Sequence, residues 1–362
     1  MQKKILLLTE NLGPGGAERQ LCGLAILLHQ RGYKVRVVTY WKTDFTQFYE
    51  PLLRDAGVDY ELHTELMPKA TRALRFAKVA RAFKPDVVIS FLSGASMAAC
   101  AAKVCCGYRL IVGERNTNLG LSVADRVRFN CYRIVDAIVP NSVAQGEFIS
   151  THYPSLSRKV HPIVNFIDAE KFSPAVQRTE NKVFTIVTAA RFVPQKNYFK
   201  YAEALAMAKE RGYQFHCHWY GNQNKADYFN PLVEKVKSLG LDDCVTFHNP
   251  SKRIADVYRQ ADALCLPSIH EGYPNVLCEA MSCGLPVICS NVQEMPRIVT
   301  EGENGYLFDP HSVEDIVRAV IRLLETPKDK LLQMGQTNSE QVRTRNTEEV
   351  FVNQYINLIN TL

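Results

Sequence analysis

Two glutamates, Glu271 and Glu279, flank the start of a short apolar segment in the stretch EGYPNVLCEAMSCGLPVICS. Pro274 predicts a loop after the first glutamate, and the residues that follow predict a short helix. The first-turn N–H groups, from Asn275 onward, would then face the same ligand as both carboxylates. Because carboxylates accept hydrogen bonds from vicinal hydroxyl groups, the stretch indicates a sugar site. The alternative is a helix whose acids flank its start because the helix dipole favours them there.

Two basic residues follow an earlier strand in the stretch TAARFVPQKNY, residues 188–198. Arg191 and Lys196 are five residues apart in the predicted loop between a strand and a helix. Arginine can bind a pyrophosphate group through two parallel hydrogen bonds, and lysine can bind it as a point charge. The pair therefore predicts a phosphate site, with two solvated loop cations as the alternative.

A glycine-rich loop, NLGPGGAER, follows the first strand and opens a helix near Ala17. We expect Gly13, Gly15 and Gly16 to take positive φ and to let the backbone approach a ligand closely. The helix start would favour an anion there, although a simple tight turn is the alternative. The glycine spacing differs from G-x-G-x-x-G and no acidic residue ends the second strand, which argues against a dinucleotide site.

Strands and helices alternate in both halves of the chain, which predicts two doubly wound α/β domains with parallel sheets. The predicted strands are KILLLTE, YKVRVVTY, PDVVISF, YRLIVGER and DAIVPNS, then KVFTIVTAAR, YQFHCHWYG, CVTFHNP, ADALCLPS and LPVICS. The stretch 161–176 is the predicted linker. We therefore expect domains at 1–165 and 175–346, with the active site in a cleft between them.

Composition narrows the class of protein. The chain has 362 residues, of which 46% are hydrophobic and 22% charged, and it has no apolar run of membrane-spanning length. Eleven scattered cysteines predict a cytoplasmic protein without disulfides. Residues 1–170 carry 22 basic and 15 acidic side chains, which predicts an acidic partner such as a phosphorylated substrate or an anionic membrane surface, with a surface that only aids solubility as the alternative. Basic residues are not interleaved with aromatic ones, so nucleic-acid binding is not expected.

Several of these stretches resemble the retaining glycosyltransferases of family 4 type, which have the GT-B fold of two Rossmann-like domains facing an interdomain cleft. Glu271 and Glu279 match the E-x₇-E element, and the longest match is IADVYRQADALCLPSIHEGYPNVLCEAMSCGLPVI. GPGGAER, VNFIDAEKFSP and RFVPQKN are similar to the glycine loop, the linker and the G-R-x-x-x-x-K-N element. Phe166 and Ala190 each stand where the family has glycine.

The resemblance implies a UDP-sugar as co-substrate and no resident cofactor. Arg191 and Lys196 would neutralise the leaving diphosphate, Glu271 would hold sugar hydroxyls and Glu279 the ribose. Gly15 and Gly16 would close over the β-phosphate. The leaving phosphate would deprotonate the acceptor on the same face. The further donor-binding residues that it implies are Tyr273, Pro274, Asn275 and Val276.

No metal site is expected. The chain contains neither a D-x-D motif nor a Cys-x-x-Cys pair, and His216 and His218 lack a third ligand in sequence.

The resemblance also implies that a C-terminal helix, residues 347–362, crosses back to the N-terminal domain.

Two segments are candidates for acceptor or membrane contact. In KATRALRFAKVARAFK, residues 69–84, helical periodicity places Arg75, Lys78 and Arg81 on one stripe. That stripe could bind an anionic lipid surface or the diphosphate of a polyprenyl-linked acceptor, or it could be a solvated face. In GERNTN, Glu114 and Arg115 are candidates for acceptor or sugar contact, with a local ion pair as the alternative.

The predicted function is therefore transfer of a hexose or N-acetylhexosamine to a lipid-linked saccharide or another glycan precursor, at the inner face of the membrane. A nucleotide-sugar epimerase would instead turn over donor without acceptor. A scaffold subunit of a glycan-assembly complex would bind the donor without turnover.

Overall fold

The computed structural model describes residues 2–40, 47–63, 69–176 and 181–362, with side chains from 71 onward in the third of these ranges. The chain forms two compact units. The first unit is Met1–Phe166 together with Glu348–Leu362, and the second unit is Ile167–Thr347.

The first unit contains a six-stranded parallel sheet with the order β3-β2-β1-β4-β5-β6. Its strands are β1 (Lys4–Thr9), β2 (Lys34–Thr39), β3 (Asp59–Leu62), β4 (Val87–Phe91), β5 (Arg109–Glu114) and β6 (Ala137–Pro140). Its helices are α1 (Gly16–Gln30), α2 (Glu50–Asp55), α3 (Lys69–Phe83), α4 (Ser93–Cys106), α5 (Val123–Cys131), α6 (Val143–His152) and α14 (Glu348–Thr361).

Helices cover both faces of this sheet, which explains the continuous apolar runs in its strands. Ile5 and Leu7 of β1 pack with residues of α1, α2 and α14. Leu6 and Leu8 point to the opposite face and pack with residues of α3, α4, α5 and α6. Successive side chains of a strand alternate between faces, so a strand buried on both sides must be apolar throughout.

The second unit contains another six-stranded parallel sheet, with the order β12-β11-β10-β7-β8-β9. Its strands are β7 (Phe184–Ala189), β8 (Phe215–Tyr220), β9 (Val245–His248), β10 (Ala263–Leu266), β11 (Val287–Ser290) and β12 (Gly305–Phe308). Its helices are α7 (Tyr198–Glu210), α8 (Ala226–Ser238), α9 (Ile254–Gln260), α10 (Asn275–Ser282), α11 (Met295–Ile298), α12 (Val313–Glu325) and α13 (Lys328–Arg345).

The predicted α/β class, with two doubly wound Rossmann-like sheets, is confirmed. The prediction missed two strands, β3 and β12, which are the edge strands at one end of each sheet. β3 reads DYEL and has no apolar run, and β12 has only four residues and begins with glycine. β3 therefore lacks the apolar run that marks a buried strand, and β12 offers only three strand-forming residues after its glycine.

Phe166 lies at the end of the first unit and is buried in its core. Its ring occupies space beside Gly23 of α1, where an added Cβ would lie 2.3 Å from the ring. Its backbone N–H donates to Oε1 of Gln20 at 3.0 Å, and its carbonyl accepts from Nε2 of the same side chain at 2.9 Å. The predicted linker residue therefore fits a place that Gly23 leaves open in α1.

Candidate active site

The loops that follow β7 and β10 begin at the point where the strand order of the second sheet reverses. β7 and β10 are neighbours, with β8 and β9 on one side and β11 and β12 on the other. The helices that follow β7 and β10 therefore diverge, which leaves a crevice at the carboxyl ends of these strands. The loop after β7 carries Arg191 and Lys196, and the loop after β10 carries Glu271.

Gln195 joins these two loops through both its backbone and its side chain. Its carbonyl accepts a hydrogen bond from the N–H of Ile269 at 2.8 Å. Its side-chain Nε2 donates to the carbonyl of His270, also at 2.8 Å. Gln195 was not among the residues predicted from sequence. A glutamine in a loop with two cations gives no sign that it contacts a residue 75 positions away. Gln195 fixes the spacing between the basic loop and the acidic loop.

Lys196 and Glu271 form an ion pair and a hydrogen bond between Nζ and Oε1. Their side chains are 13% and 11% exposed, so the pair is largely shielded from water. The N–H of Glu271 also donates to Oε1 of Gln293 at 3.1 Å, and Gln293 takes a φ of 40°. The structure thus brings together two residues that the sequence assigned to different parts of one ligand. The lysine retains further N–H donors for an anion beside the carboxylate.

Arg191 is exposed on the loop that follows β7. The residue before it, Ala190, keeps the sheet pattern, because its N–H donates to the carbonyl of Tyr220 at 2.9 Å. The carbonyl of Ala190 lies against Gly221, where an added Cβ would be only 2.3 Å away. The close backbone contact in this part of the site therefore depends on Gly221. Position 190 does not have to be a glycine, and alanine fits there.

The loop after β7 ends at Asn197, which takes the left-handed conformation with φ 57° and precedes α7. Its side-chain Nδ2 donates to the carbonyl of Pro310 at 2.8 Å, in the loop that follows β12. Asparagine tolerates this conformation better than most residues with a side chain. This hydrogen bond therefore connects the basic loop after β7 with the loop after the edge strand β12.

The start of α10 lies four residues after Glu271. Pro274 occupies the cap position, and its carbonyl accepts from the N–H of Leu277 at 3.1 Å. The backbone N–H groups of Asn275 and Val276 lie at the N-terminus of α10, where the helix dipole favours an anion. Glu279 lies one turn further along and is 4% exposed. The predicted donor-binding residues of this stretch are thus arranged along the first turns of one helix.

Tyr273 directs its hydroxyl to Asn346, which follows α13. The hydroxyl oxygen accepts from Nδ2 of Asn346 at 2.6 Å, and the carbonyl of Asn346 accepts from the N–H of Ile167 at 2.7 Å. Burial raises the pKa of Tyr273 well above its ordinary value, so the phenol stays neutral. A contact between Tyr273 and a donor would therefore use its ring or backbone.

Replacing Tyr273 by phenylalanine is expected to lower the free energy of unfolding by about 1–2 kcal/mol, because the buried amide of Asn346 loses an acceptor. Urea denaturation measures this change. Tyr213→Phe, which removes an exposed hydroxyl bonded to Glu325, is the matched control and should have no measurable effect. A large rise in the KM for the donor with unchanged stability would instead place the Tyr273 hydroxyl on the ligand.

The glycine-rich loop of the first unit differs from its prediction. Gly13, Gly15 and Gly16 do not take positive φ. The side chain of Glu18 folds back over Gly15, where an added Cβ would lie 2.0 Å from its Oε2. Burial raises the pKa of Glu18, and the nearby charge of Glu10 acts in the same direction. The backbone of this loop remains close to the N-terminus of α1.

Glu114 is buried at the end of β5. It accepts a hydrogen bond from the hydroxyl of Tyr132, and Nη2 of Arg128 lies 3.4 Å from its Oε2. Burial raises the pKa of its carboxyl. Tyr132 and Arg128, which contact the Glu114 carboxylate, are themselves buried in the first unit.

Arg115 is 9% exposed. Its Nη2 donates to the hydroxyl of Tyr355 at 2.6 Å, its Nη1 donates to Asn165 at 3.1 Å, and its guanidinium lies 3.8 Å from the ring centre of Phe91. The guanidinium of Arg115 and the carboxylate of Glu114 also attract each other. Against the larger effect of burial, this attraction lowers the pKa of Glu114 and raises the pKa of Arg115. Arg115 anchors α14 to the sheet.

Arg75, Lys78 and Arg81 are exposed on α3, while Phe76 and Val79 are buried beneath them. This is the orientation that the helical periodicity predicted. Arg75 and Lys78 also border a shallow groove of about 390 Å³ beside β2 and β3. The other polar residues that line the groove are Arg36, Glu61 and His63.

All eleven cysteines are free thiols. Within the ranges that the structure describes, no three His, Cys, Asp or Glu side chains are grouped so that they could hold a metal ion. In the same ranges, no helix combines the length and the apolar character that crossing a bilayer requires.

Two family models match the chain. "Glycosyltransferase Family 4" matches residues 14–171, and "Glycosyl transferases group 1" matches residues 169–341. Together the two matches include strands β2 to β12, Gly15 and Gly16 of the glycine-rich loop, the basic loop after β7 and α10.

A curated relative is the D-inositol 3-phosphate glycosyltransferase of Rhodococcus opacus, which is 29% identical over 205 residues. The match covers 53% of this chain and 46% of that protein. The chain therefore matches about half the length of this relative.

Two solved structures share the fold over the whole chain. A glycosyltransferase from Rickettsia africae aligns with a TM-score of 0.86 and 15% identity, covering 99% of this chain and 98% of that one. HepE from Anabaena, solved in complex with UDP and glucose, aligns with a TM-score of 0.86 and 20% identity, covering 100% of both chains.

Proposed function

Because the chain belongs to the family 4 type of glycosyltransferases with the GT-B fold, we propose that it transfers a hexose or N-acetylhexosamine from a UDP-sugar. The proposed acceptor is a lipid-linked saccharide or another precursor of a cell-surface glycan. The proposed transfer retains the configuration of the anomeric carbon and uses no metal ion.

The observation that carries this proposal is the Lys196–Glu271 pair at the reversal point of the second sheet. A shielded carboxylate beside a lysine, with an exposed arginine on the same loop, can bind sugar hydroxyls and phosphate oxygens at adjacent positions. The N-terminus of α10 adds amides that favour the same anion. A UDP-sugar joins these two chemical groups in one molecule.

In the proposed reaction, the bond between the anomeric carbon and the phosphate oxygen breaks while the acceptor oxygen bonds to that carbon on the same face. The proton of the acceptor hydroxyl passes to the departing phosphate oxygen. Lys196 and Arg191 stabilise the negative charge that develops on the diphosphate. Glu271 holds the hydroxyls of the sugar, and Glu279 holds those of the ribose. No side chain serves as a nucleophile.

The choice of UDP is supported by HepE of Anabaena, which has the same fold and was solved with UDP and glucose. The choice of an anionic acceptor is supported by the groove beside α3. Arg36, Arg75 and Lys78 border it and could bind a diphosphate group, although Arg36 also contacts Asp59 and Glu61. A groove at the protein surface suits an acceptor whose remaining part is embedded in lipid.

The test is release of UDP from a panel of UDP-sugars by the full chain, first without acceptor and then with a lipid-linked acceptor extract. One donor should be hydrolysed slowly alone and consumed faster with the extract. A product of unchanged anomeric configuration, detected by NMR, is expected. Binding of a donor without UDP release under both conditions would refute the transferase proposal and indicate a scaffold.

In the same assay, Arg191→Ala is expected to lower kcat/KM for the preferred donor by about tenfold, because one charge-assisted contact to the diphosphate is lost. Arg211→Ala is the matched control. Arg211 is an exposed arginine at the opposite end of α7, and its replacement should leave kcat/KM unchanged. Equal effects of the two substitutions would show that Arg191 does not contact the donor.

A further inference from the structure

Three helices, α3, α4 and α5, form one layer on the first sheet. α4 contacts both α3 and α5, and residues of all three pack into the same core cluster. Their outward side therefore forms one surface, which we call the three-helix face. It consists of the exposed residues of α3, α4 and α5 and of the turns that flank α5.

The three-helix face has a strong excess of positive charge. Lysine and arginine occupy five positions of α3, one of α4 and two of α5, whereas the three helices contain a single acidic residue, Asp125. Asp125 lies 2.9 Å from Arg128 and caps the start of α5 with Ser122, so its charge is already engaged. Lys103 and Arg128 are engaged in the same way, by Asp136 and Glu114. The exposed charged side chains that the structure describes on the three helices are therefore Arg75, Lys78, Arg81 and Arg126.

The three-helix face also exposes large aliphatic side chains. Ten large hydrophobic residues are exposed in the part of the chain that the structure describes, and six of them belong to this surface. Val104 and Val123 are 81% and 80% exposed. The six residues are Leu74, Val104, Leu119, Val123, Val127 and Ile134.

The most apolar part of the surface is held firmly in place. Val123 and Val127 are spaced four residues apart, so they follow one side of α5, and Leu119 is exposed in the turn before that helix. The opposite side of α5 is fixed by Arg128, whose Nη1 donates to Oγ of Ser93 at 2.6 Å. The outward orientation of these aliphatic residues is therefore set by buried polar contacts on the other side.

We propose that the three-helix face binds an anionic phospholipid bilayer. Lipid headgroups of negative charge complement the cations, while isolated aliphatic side chains can enter the boundary between headgroups and acyl chains. A protein partner would need a contiguous apolar centre, usually with aromatic anchors. Here the exposed apolar residues are all aliphatic and are distributed over three helices with cations between them.

This inference rests on the proposed function for its biological role, since a bilayer surface would place the enzyme beside a lipid-linked acceptor. Lipid binding itself does not depend on the proposed function, because the three-helix face needs no sugar donor to bind a bilayer. It also extends the prediction made from sequence, which assigned membrane contact to one stripe on α3. The structure adds α4 and α5 to that stripe.

The experiment measures co-sedimentation of the full chain with vesicles of phosphatidylcholine, with or without phosphatidylglycerol. Binding is expected only with the anionic lipid and should weaken as salt is raised. The variant R75E/K78E/R126E should weaken binding by on the order of 100-fold. The variant V104S/V123S/V127S should weaken it by about tenfold, with little change in its salt dependence.

Two control variants change the second unit equally. K237E/K252E/R343E makes the same change in net charge at exposed positions, and Leu332→Ser removes an exposed aliphatic residue. Both should bind vesicles as the unaltered chain does. Circular dichroism and urea denaturation of every variant verify that each one is folded, since all the substituted side chains are exposed.

Several results would overturn the inference. These are no binding of the unaltered chain to anionic vesicles, or equal losses in the control variants. A third is light scattering that shows a dimer which the serine variant dissolves, since the surface would then be an interface between copies. UDP release in solution, measured on V104S/V123S/V127S, should be unchanged, since none of these positions belongs to the proposed donor or acceptor site. Loss of vesicle binding with no UDP-sugar used by any variant would keep the membrane surface and refute the proposed function.

Discussion

Replacing Lys196 by methionine is expected to reduce glycosyl transfer by about 10²–10³-fold, because the departing diphosphate loses a charged donor in a shielded site. The substitution keeps the length and apolar part of the side chain. Single-turnover measurements with the preferred UDP-sugar should show the loss in the chemical step. If kcat is retained and only KM rises, Lys196 binds the ground state and the transition state equally, and the assigned role is wrong.

The same substitution is expected to lower the free energy of unfolding by about 3 kcal/mol, since the largely buried carboxylate of Glu271 loses its partner. The double variant K196M/E271Q should recover most of this stability, because neither charge remains. It should stay inactive, since the sugar and phosphate contacts are both lost. Urea denaturation of both single variants and the double variant measures the coupling.

The exposed pair Lys209–Asp243 provides the control for this cycle. K209M, D243N and the double variant should have indistinguishable stabilities, since water screens these charges. If the Lys196 cycle shows no more coupling than this surface pair, Lys196 and Glu271 are not shielded together in solution.

Replacing Gly221 by alanine is expected to lower the free energy of unfolding by about 3 kcal/mol and to reduce transfer as well. The new Cβ would lie 2.3 Å from the carbonyl oxygen of Ala190 and 2.9 Å from the ring of Phe192. Backbone cannot yield as a flexible side chain can, so the loop must shift on both sides of Arg191. The loss of activity should therefore appear largely as a higher KM for the donor.

Gly120→Ala is the control, since an added Cβ there has no neighbour within 4 Å and φ is not positive. It should leave both stability and KM unchanged. If Gly221→Ala is as stable as Gly120→Ala, the loop after β7 adapts freely and the close contact at Gly221 does not position Arg191.

The sequence predicted the fold well where strands are buried on both faces. Strands such as β1 and β4 are continuous apolar runs, and only a sheet covered on both sides produces them. β3 and β12 were missed because each is an edge strand. An edge strand pairs with only one neighbouring strand and does not have to be an apolar run. Their pairing with β2 and β11 is a long-range fact that no local pattern contains.

The candidate site was predictable in its residue types but less so in its connections. Glu271, Arg191 and Lys196 were identified because they follow predicted parallel strands, at the sheet edge where ligands bind, and carry side chains suited to hydroxyl and phosphate groups. Gln195 and Asn346 were missed because their partners are distant in sequence. The conformation of the glycine loop was also predicted wrongly, since Gly13, Gly15 and Gly16 do not take positive φ and the side chain of Glu18 folds back over Gly15. Contacts of this kind depend on the tertiary structure.

The position of α14 has a consequence for the order in which the chain is completed on the ribosome. Domains generally fold as units during synthesis, with the N-terminal one first. Here Phe351 and Tyr355 of α14 belong to the core of the first unit, and Tyr355 provides the hydroxyl that satisfies buried Arg115. Those side chains emerge only after all of the second unit has been translated. The first unit is therefore the later of the two units to complete its native core.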